Sequence, residues 1–377
     1  MEFALRAFAG SLLLLSGLVS SIPSWSAQAA LPASADALRY AFETAQPGTT
    51  LVLPPGRIRL RRPLVMYADD VTIRGGGSGH SATDTILAFD RQRIGGEALR
   101  LSGSNITVEH LAIENARGDA LKIFAARNLI VRDVRTEWTR GPNRRNGAYG
   151  IYPVQTEGVL IEDSIARGAS DAGIYVGQSR HVVIRDNLVY DNVAGIEAEN
   201  CEAVDIHDNH AHDNTAGILV FNLPDIPQVG RDARVFNNRI ENNNTRNFAS
   251  RGTPVAAVPA GTGVMILAAK RIELFGNRFG GHDYASIFIK HGAPVLADEP
   301  APDANRAARP ARTPRPSAVP YEPQASAIAL GDNQFASATP TIIAPPGDVL
   351  CAATNALESP ALPSCSAPRL PAVVMPR

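Results

Sequence analysis

Apolar residues recur at every second position in short runs through the middle of this chain, and the runs repeat. Gly158-Val159-Leu160-Ile161-Glu162-Asp163-Ser164, His181-Val182-Val183-Ile184-Arg185-Asp186-Asn187, Ala203-Val204-Asp205-Ile206-His207-Asp208-Asn209 and Arg271-Ile272-Glu273-Leu274-Phe275-Gly276-Asn277 share one pattern: a strand of alternating character, then a polar turn. Asn187 and Asn209 stand 22 residues apart, as do Asn192 and Asn214. That interval is too short for a strand-helix-strand unit and fits one coil of three short strands. A second apolar strand follows a glycine in the coils, at Gly150-Ile151, Gly173-Ile174, Gly195-Ile196, Gly217-Ile218 and Gly263-Val264. The pattern predicts an all-β solenoid of parallel strands, with equivalent residues about 4.8 Å apart from coil to coil.

Stacking gives the asparagines at 187, 209, 238, 277 and 333 a structural reading, because amides above one another hydrogen-bond along the axis at a turn. Inward Ile, Val, Leu and Ala cannot be buried by one coil alone, so stability comes from the stack. The raw end of a solenoid needs a cover. Residues 36–45 place apolar side chains at helical spacing behind an N-cap candidate, Asp36, and stop at Pro47-Gly48, which predicts a short N-terminal capping α-helix. The repeats run over 30–290. A Pro- and Ala-rich flexible insertion follows at 291–325, and the pattern resumes over Ala327-Ile328-Ala329-Leu330 in a last coil and tail spanning 326–377.

Residues 1–29 read as an export signal: Arg6 gives a positive start, Ser11 to Val19 an apolar core, and Ala27-Gln28-Ala29 a small-residue cleavage pattern. The apolar run is too short to cross a hydrocarbon layer about 30 Å thick, so no integral membrane span is expected and the predicted location is periplasmic or secreted. Charge is nearly balanced, 36 Lys and Arg against 37 Asp and Glu, so no overall field points to nucleic acid and any charged ligand must be recognised locally. Of the three cysteines, Cys351 and Cys365 are expected to form a bridge in an oxidising compartment, and Cys201 reads as a small buried filler.

The segment 36–45, then Pro47-Gly48-Thr49-Thr50-Leu51-Val52-Leu53-Pro54-Pro55-Gly56 and Val71-Thr72-Ile73-Arg74-Gly75, resembles the entry into the first coils of the pectate-lyase-like superfamily. Asn146-Gly147-Ala148-Tyr149-Gly150-Ile151-Tyr152-Pro153-Val154-Gln155 and Ala169-Ser170-Asp171-Ala172-Gly173-Ile174-Tyr175-Val176-Gly177-Gln178-Ser179 resemble a bacterial family of exported parallel β-helix repeat proteins of unassigned activity. The resemblance implies a right-handed parallel β-helix, a single-stranded solenoid. Such helices include lyases, hydrolases, epimerases, adhesins and metal-insertion accessories, so fold does not name the activity. The paired Asp of polygalacturonase-like hydrolases and the Asp-Pro-His-Asp of alginate-epimerase-like proteins are both missing.

With Ile151, Ile174, Ile196 and Ile218 pointing inward, their followers line up outside as Lys122, Tyr152, Tyr175, Glu197 and Leu219. A second outer column reads Phe124, Val154, Gly177, Glu199 and Phe221. Insertions at 136–146, 222–231 and 243–259 interrupt the repeat beside this strand, where loops on a rigid scaffold build a groove. Lys122, Tyr152, Asp171, Tyr175 and Glu197 are the catalytic candidates; Arg144, Arg145, Tyr149, Gln155, Gln178 and Glu199 are the binding candidates. Guanidinium forks grip carboxylates, so the expected partner is an acidic polysaccharide or oligosaccharide. A lyase or epimerase abstracts the proton beside a uronate carboxylate, with Tyr or Lys as base and Arg or a metal ion stabilising the charge that develops. Hydrolysis needs two flanking carboxyls, and Glu197 and Glu199 share a face about 6.6 Å apart.

Plainer readings stand beside these: a solvated outer face for the two Glu, decoration of a dry loop interface for Tyr152 and Tyr175, turn-holding for Asp119 and Asp171, and a solubilising loop for the two Arg. His210 and His212, with His207, Asp208 and Asp213, form a two-imidazole pair whose spacing fixes no third ligand, so no cofactor is assigned. The alternative functions are a non-catalytic envelope scaffold and a metal-insertion accessory.

Overall fold

The computed structural model describes residues 30–292, 321–336, 342–345, 349–353 and 370–375. The export segment, residues 293–320 of the expected insertion, Cys365 and the Cys351 side chain lie outside these. The strands wind as a right-handed parallel β-helix around one apolar core. Each full coil contributes three strands: Arg180–Arg185, Leu188–Tyr190 and Ala194–Glu199 make one, and Glu202–His207, His210–His212 and Ala216–Phe221 the next. Nineteen of the described strands form a sheet that takes two strands from each such coil, and ten strands, the five glycine-led ones among them, form the second sheet.

The bends explain the spacing of the polar residues. Asp163, Asp186 and Asp208 adopt left-handed backbone (φ 50, 56 and 55°), which Asp tolerates because its short side chain bonds locally. The next residue turns inward. Asn187 donates its backbone N–H and side-chain amide to Asn209 Oδ1 at 3.0 Å each, Asn209 does the same to Asn238, and the chain continues through Asn277 to Asn333. A second ladder, Asn192–Asn214–Asn243, holds the next corner. Each amide thus satisfies backbone groups that the bend takes out of the sheet.

The capping helix is Ala35–Glu43, with Leu38 and Phe42 buried. Its N-cap is Ser34 rather than Asp36: Ser34 Oγ accepts from Ala37 N–H at 3.1 Å. Asp36 sits in the first turn, where the helix dipole favours an anion, and pairs with Arg39 at 3.1 Å. Beyond residue 320, Ser326–Gly331 pairs in parallel with Lys270–Phe275, so the coil pattern resumes there. Cys201 is buried, its thiol 3.1 Å from Val176 O, and burial pushes that thiol up to about 12, which fits a filler. No helix among the described residues is long and apolar enough to cross a membrane.

Candidate active site

The register of the ten-stranded sheet builds the site. Lys122 pairs with Tyr152, Ile151 with Ile174, Tyr175 with Glu197, Glu197 with Leu219 and Glu199 with Phe221. Ile151, Ile174, Ile196 and Ile218 are fully buried inside, so both expected outer columns are in place. Below them lies a third, in which Asp119 stands one coil before Tyr149 by the same register.

The outer columns converge because one position has no side chain. Gly177 lies between Val154 and Glu199, and a β-carbon there would meet the Tyr175 ring at 2.5 Å. Lacking one, the strand lets Tyr175 lie across it, and its hydroxyl donates to Glu199 Oε1 at 2.9 Å. Gln178 Nε2 donates to the same oxygen at 3.2 Å. Tyr149, Tyr152 and Tyr175 form a knot of rings with centroids 4.3, 4.7 and 5.0 Å apart. Lys122 Nζ sits 5.0 Å over the Tyr152 ring and 3.5 and 3.7 Å from Glu97 and Asp119.

Exposure departs from the expectation of an open ribbon. Glu197 is 1% exposed, and Tyr175 and Asp171 are 5% exposed. These residues are outside the coil but under a second, smaller core, in which Val255, Val258 and Phe248 of one insertion and Leu223 of another pack on Leu219, Phe221 and Met265. A solvated outer face is therefore excluded for Glu197, because the loops fold back over it. Glu199, Tyr149, Tyr152 and Lys122 remain partly exposed.

Burial sets the electrostatics. Removal from water raises the Glu197 carboxyl well above the usual range, and the charges of Asp171 and Glu199 add to this. Asp171 is raised by burial and by Glu199, with the Tyr149 hydroxyl working against the shift. Glu199 is raised by burial, which the Tyr175 hydroxyl opposes. Asp119 is pushed up to about 6, by burial first, with Lys122 opposing and Glu97 reinforcing. Buried carboxyls that repel one another share protons as a group. Burial and the same carboxylates raise all three phenols, Tyr149, Tyr152 and Tyr175, so they stay protonated. A tyrosinate base is thus disfavoured here and a tyrosine donor favoured.

The remaining expected residues fall around this centre. Arg144 and Arg145 are exposed on a loop whose base is fixed by Asn146, donating to Gly141 O and Gly168 O at 2.8 and 2.6 Å. Trp138, in the same insertion, is core, with its indole N–H on Ala116 O at 2.7 Å. Gln155 lines a cleft of about 310 Å³ with Gln228 and with Gln178, which also reaches Glu199. His210 and His212 do face outward together, ring centroids 4.5 Å apart, and no group of three His, Cys, Asp or Glu side chains among the described residues is placed to hold a metal ion. Glu97 was missed by sequence reasoning, although it precedes Leu99 as Asp119 precedes Leu121, and those leucines pair.

Residues 92–230 match the family described as right-handed β-helix region. The chain folds as a right-handed parallel β-helix. Among solved structures, this β-helix is similar to the A-module of mannuronan C-5 epimerase AlgE4 from Azotobacter vinelandii, with TM-score 0.54 and 16% identity over 85% of this chain and 94% of that one. It is similar also to an alginate lyase from Paenibacillus sp. str. FPU-7, with TM-score 0.53 and 14% identity over 84% and 97% of the two chains. No curated protein matches the β-helix by sequence.

Proposed function

We propose that this β-helix is an exported carbohydrate-active protein, periplasmic or secreted, that moves a proton on an acidic polysaccharide at the tyrosine–carboxyl cluster, by β-elimination or epimerisation. The observation that carries the reading is the placement of Tyr175 on Glu199 beside Asp171 and Glu197, three carboxyls that burial raises above their ordinary range on the outer face of a rigid sheet. A base works best when its proton affinity lies near the working pH. Perturbed groups of this kind cluster at functional sites, since stability alone gives no reason to bury them. The two similar structures, one a mannuronan C-5 epimerase module and the other an alginate lyase, agree with this substrate class.

In this reading Glu199, partly exposed and cradled by Tyr175 and Gln178, takes the proton next to the uronate carboxylate. Tyr152 or Tyr149, held protonated, donates on the other side, which for elimination is the leaving oxygen and for epimerisation the opposite face of the same carbon. Lys122 offsets the charge that develops, and Glu197 and Asp171 hold the shared proton that tunes Glu199.

The test is incubation of the mature protein with polymannuronate, polyguluronate and polygalacturonate, read as unsaturated ends and, by proton NMR, as epimer content. Product should form on one of them, and Glu199→Gln should lower the rate about 100-fold or more. No product and no binding across the panel removes the proposal.

A further inference from the structure

Arg144, Arg145, Arg246 and Arg251 come from two insertions and line a single cavity of about 950 Å³ with no Asp or Glu in its wall. None of the four makes an ion pair with a described residue, whereas Arg57, Arg132, Arg135, Arg167 and Arg185 elsewhere on the solenoid all meet carboxylates. In a chain of formal net charge −1, four uncompensated guanidinium groups around one hollow are a local choice.

The wall is built, not draped. Asn247 Nδ2 donates to Val255 O and Val258 O at 2.9 Å each, tying Arg246 to the turn Pro254–Ala257. Thr245 Oγ1 donates to Asp213 O at 2.6 Å, fastening the other end to the coil. The same insertion has two faces: Arg246 and Arg251 look into the cavity, while Phe248 lines it and also packs on the cluster that holds Tyr149, Tyr152 and Tyr175.

We infer that this arginine-lined cavity is a second binding site, which anchors the carboxylates of a uronate chain at units remote from the one that reacts. It rests on the proposed function for its substrate class and adds Arg246 and Arg251 as recognition residues. Paired guanidinium forks match planar carboxylates in two-point geometry, and neighbouring units of a polyuronate present such groups at short intervals. Remote binding of this kind holds the reacting unit in place, so longer chains should be better substrates than short ones.

The experiment uses the mature protein carrying Glu199→Gln, so that bound chains survive, and measures binding of polymannuronate and polygalacturonate fragments by calorimetry, with neutral dextran as control. Uronate fragments should bind and dextran should not. Arg246→Ala/Arg251→Ala and Arg144→Ala/Arg145→Ala should each weaken binding about tenfold, and about 1 M salt should abolish it. All four arginines are exposed at the surface, so melting temperatures should stay at the parent value. Undiminished uronate binding in both double variants, or equal binding of dextran, overturns the inference. Because binding is read without turnover, failure of the proton-transfer proposal leaves this result interpretable.

Discussion

Glu197 states the problem at the scale of single residues. It follows an inward isoleucine, so the strand sends it outward, yet loops close over it and leave Oε2 without a hydrogen-bond partner. A carboxylate in that position is costly, and the group meets the cost by holding its proton. The consequence for stability has a definite sign. The native cluster binds more protons than the unfolded chain between the ordinary carboxyl range near pH 4 and its raised native range, about 6 for Asp119 and about 7 for Asp171, with Glu197 also raised well above the ordinary range. Stability therefore falls as pH rises through that window. Thermal melts at pH 5 and 8 should show the wild type losing stability at the higher pH and Glu197→Gln losing less. An unchanged slope would show that Glu197 ionises in the native state without penalty. The sequence carried the column Lys122, Tyr152, Tyr175, Glu197 by strand alternation alone; burial was not legible, since it depends on the insertions at 222–231 and 243–259 folding back, and insertions have no register to read. The same burial turns the tyrosines from candidate bases into donors.

At the scale of elements, the polar corner matters as much as the apolar strand. Asn209 Oδ1 accepts from Asn187, and its amide donates to Ile184 O and Asn238 Oδ1, all in the interior. Asn209→Ala strands several of these groups at once, at about 1–3 kcal/mol for each left unsatisfied. Urea unfolding should show a loss of about 2–4 kcal/mol, well above the effect of an ordinary surface change. A loss under about 0.5 kcal/mol would mean that water replaces the amide and the ladder is not a stabilising column. This ladder was legible because equal spacing and equal residue type coincide. The cap was less so: Ser34 and Asp36 are both good N-caps, and only the backbone at Ser34 (φ −128°, ψ 143°) decides between them. Arg246 and Arg251 were not legible at all, because the length of an insertion says where a loop hangs and not which way its residues turn.

Over the whole molecule, the two sheets divide the work. The nineteen-stranded sheet carries the asparagine corners and chains of arginine–carboxylate pairs, as in Arg135 between Glu114 and Glu137. The ten-stranded sheet carries the tyrosines and raised carboxyls, and both long insertions crowd its outer face. A solenoid suits this division, because each coil needs only its neighbours and one wall can take on strained chemistry while the other holds the stack. The expectation of a β-helix followed from periodicity; the expectation of which wall reacts followed from where insertions interrupt it. The most direct measurement is a crystal structure of Glu199→Gln soaked with uronate oligomers. The account predicts sugar density with one unit against Tyr152 and Glu199 and further units running toward Arg144 and Arg246; density confined to the histidine pair on the other sheet, or to the cleft at Gln155, would contradict it.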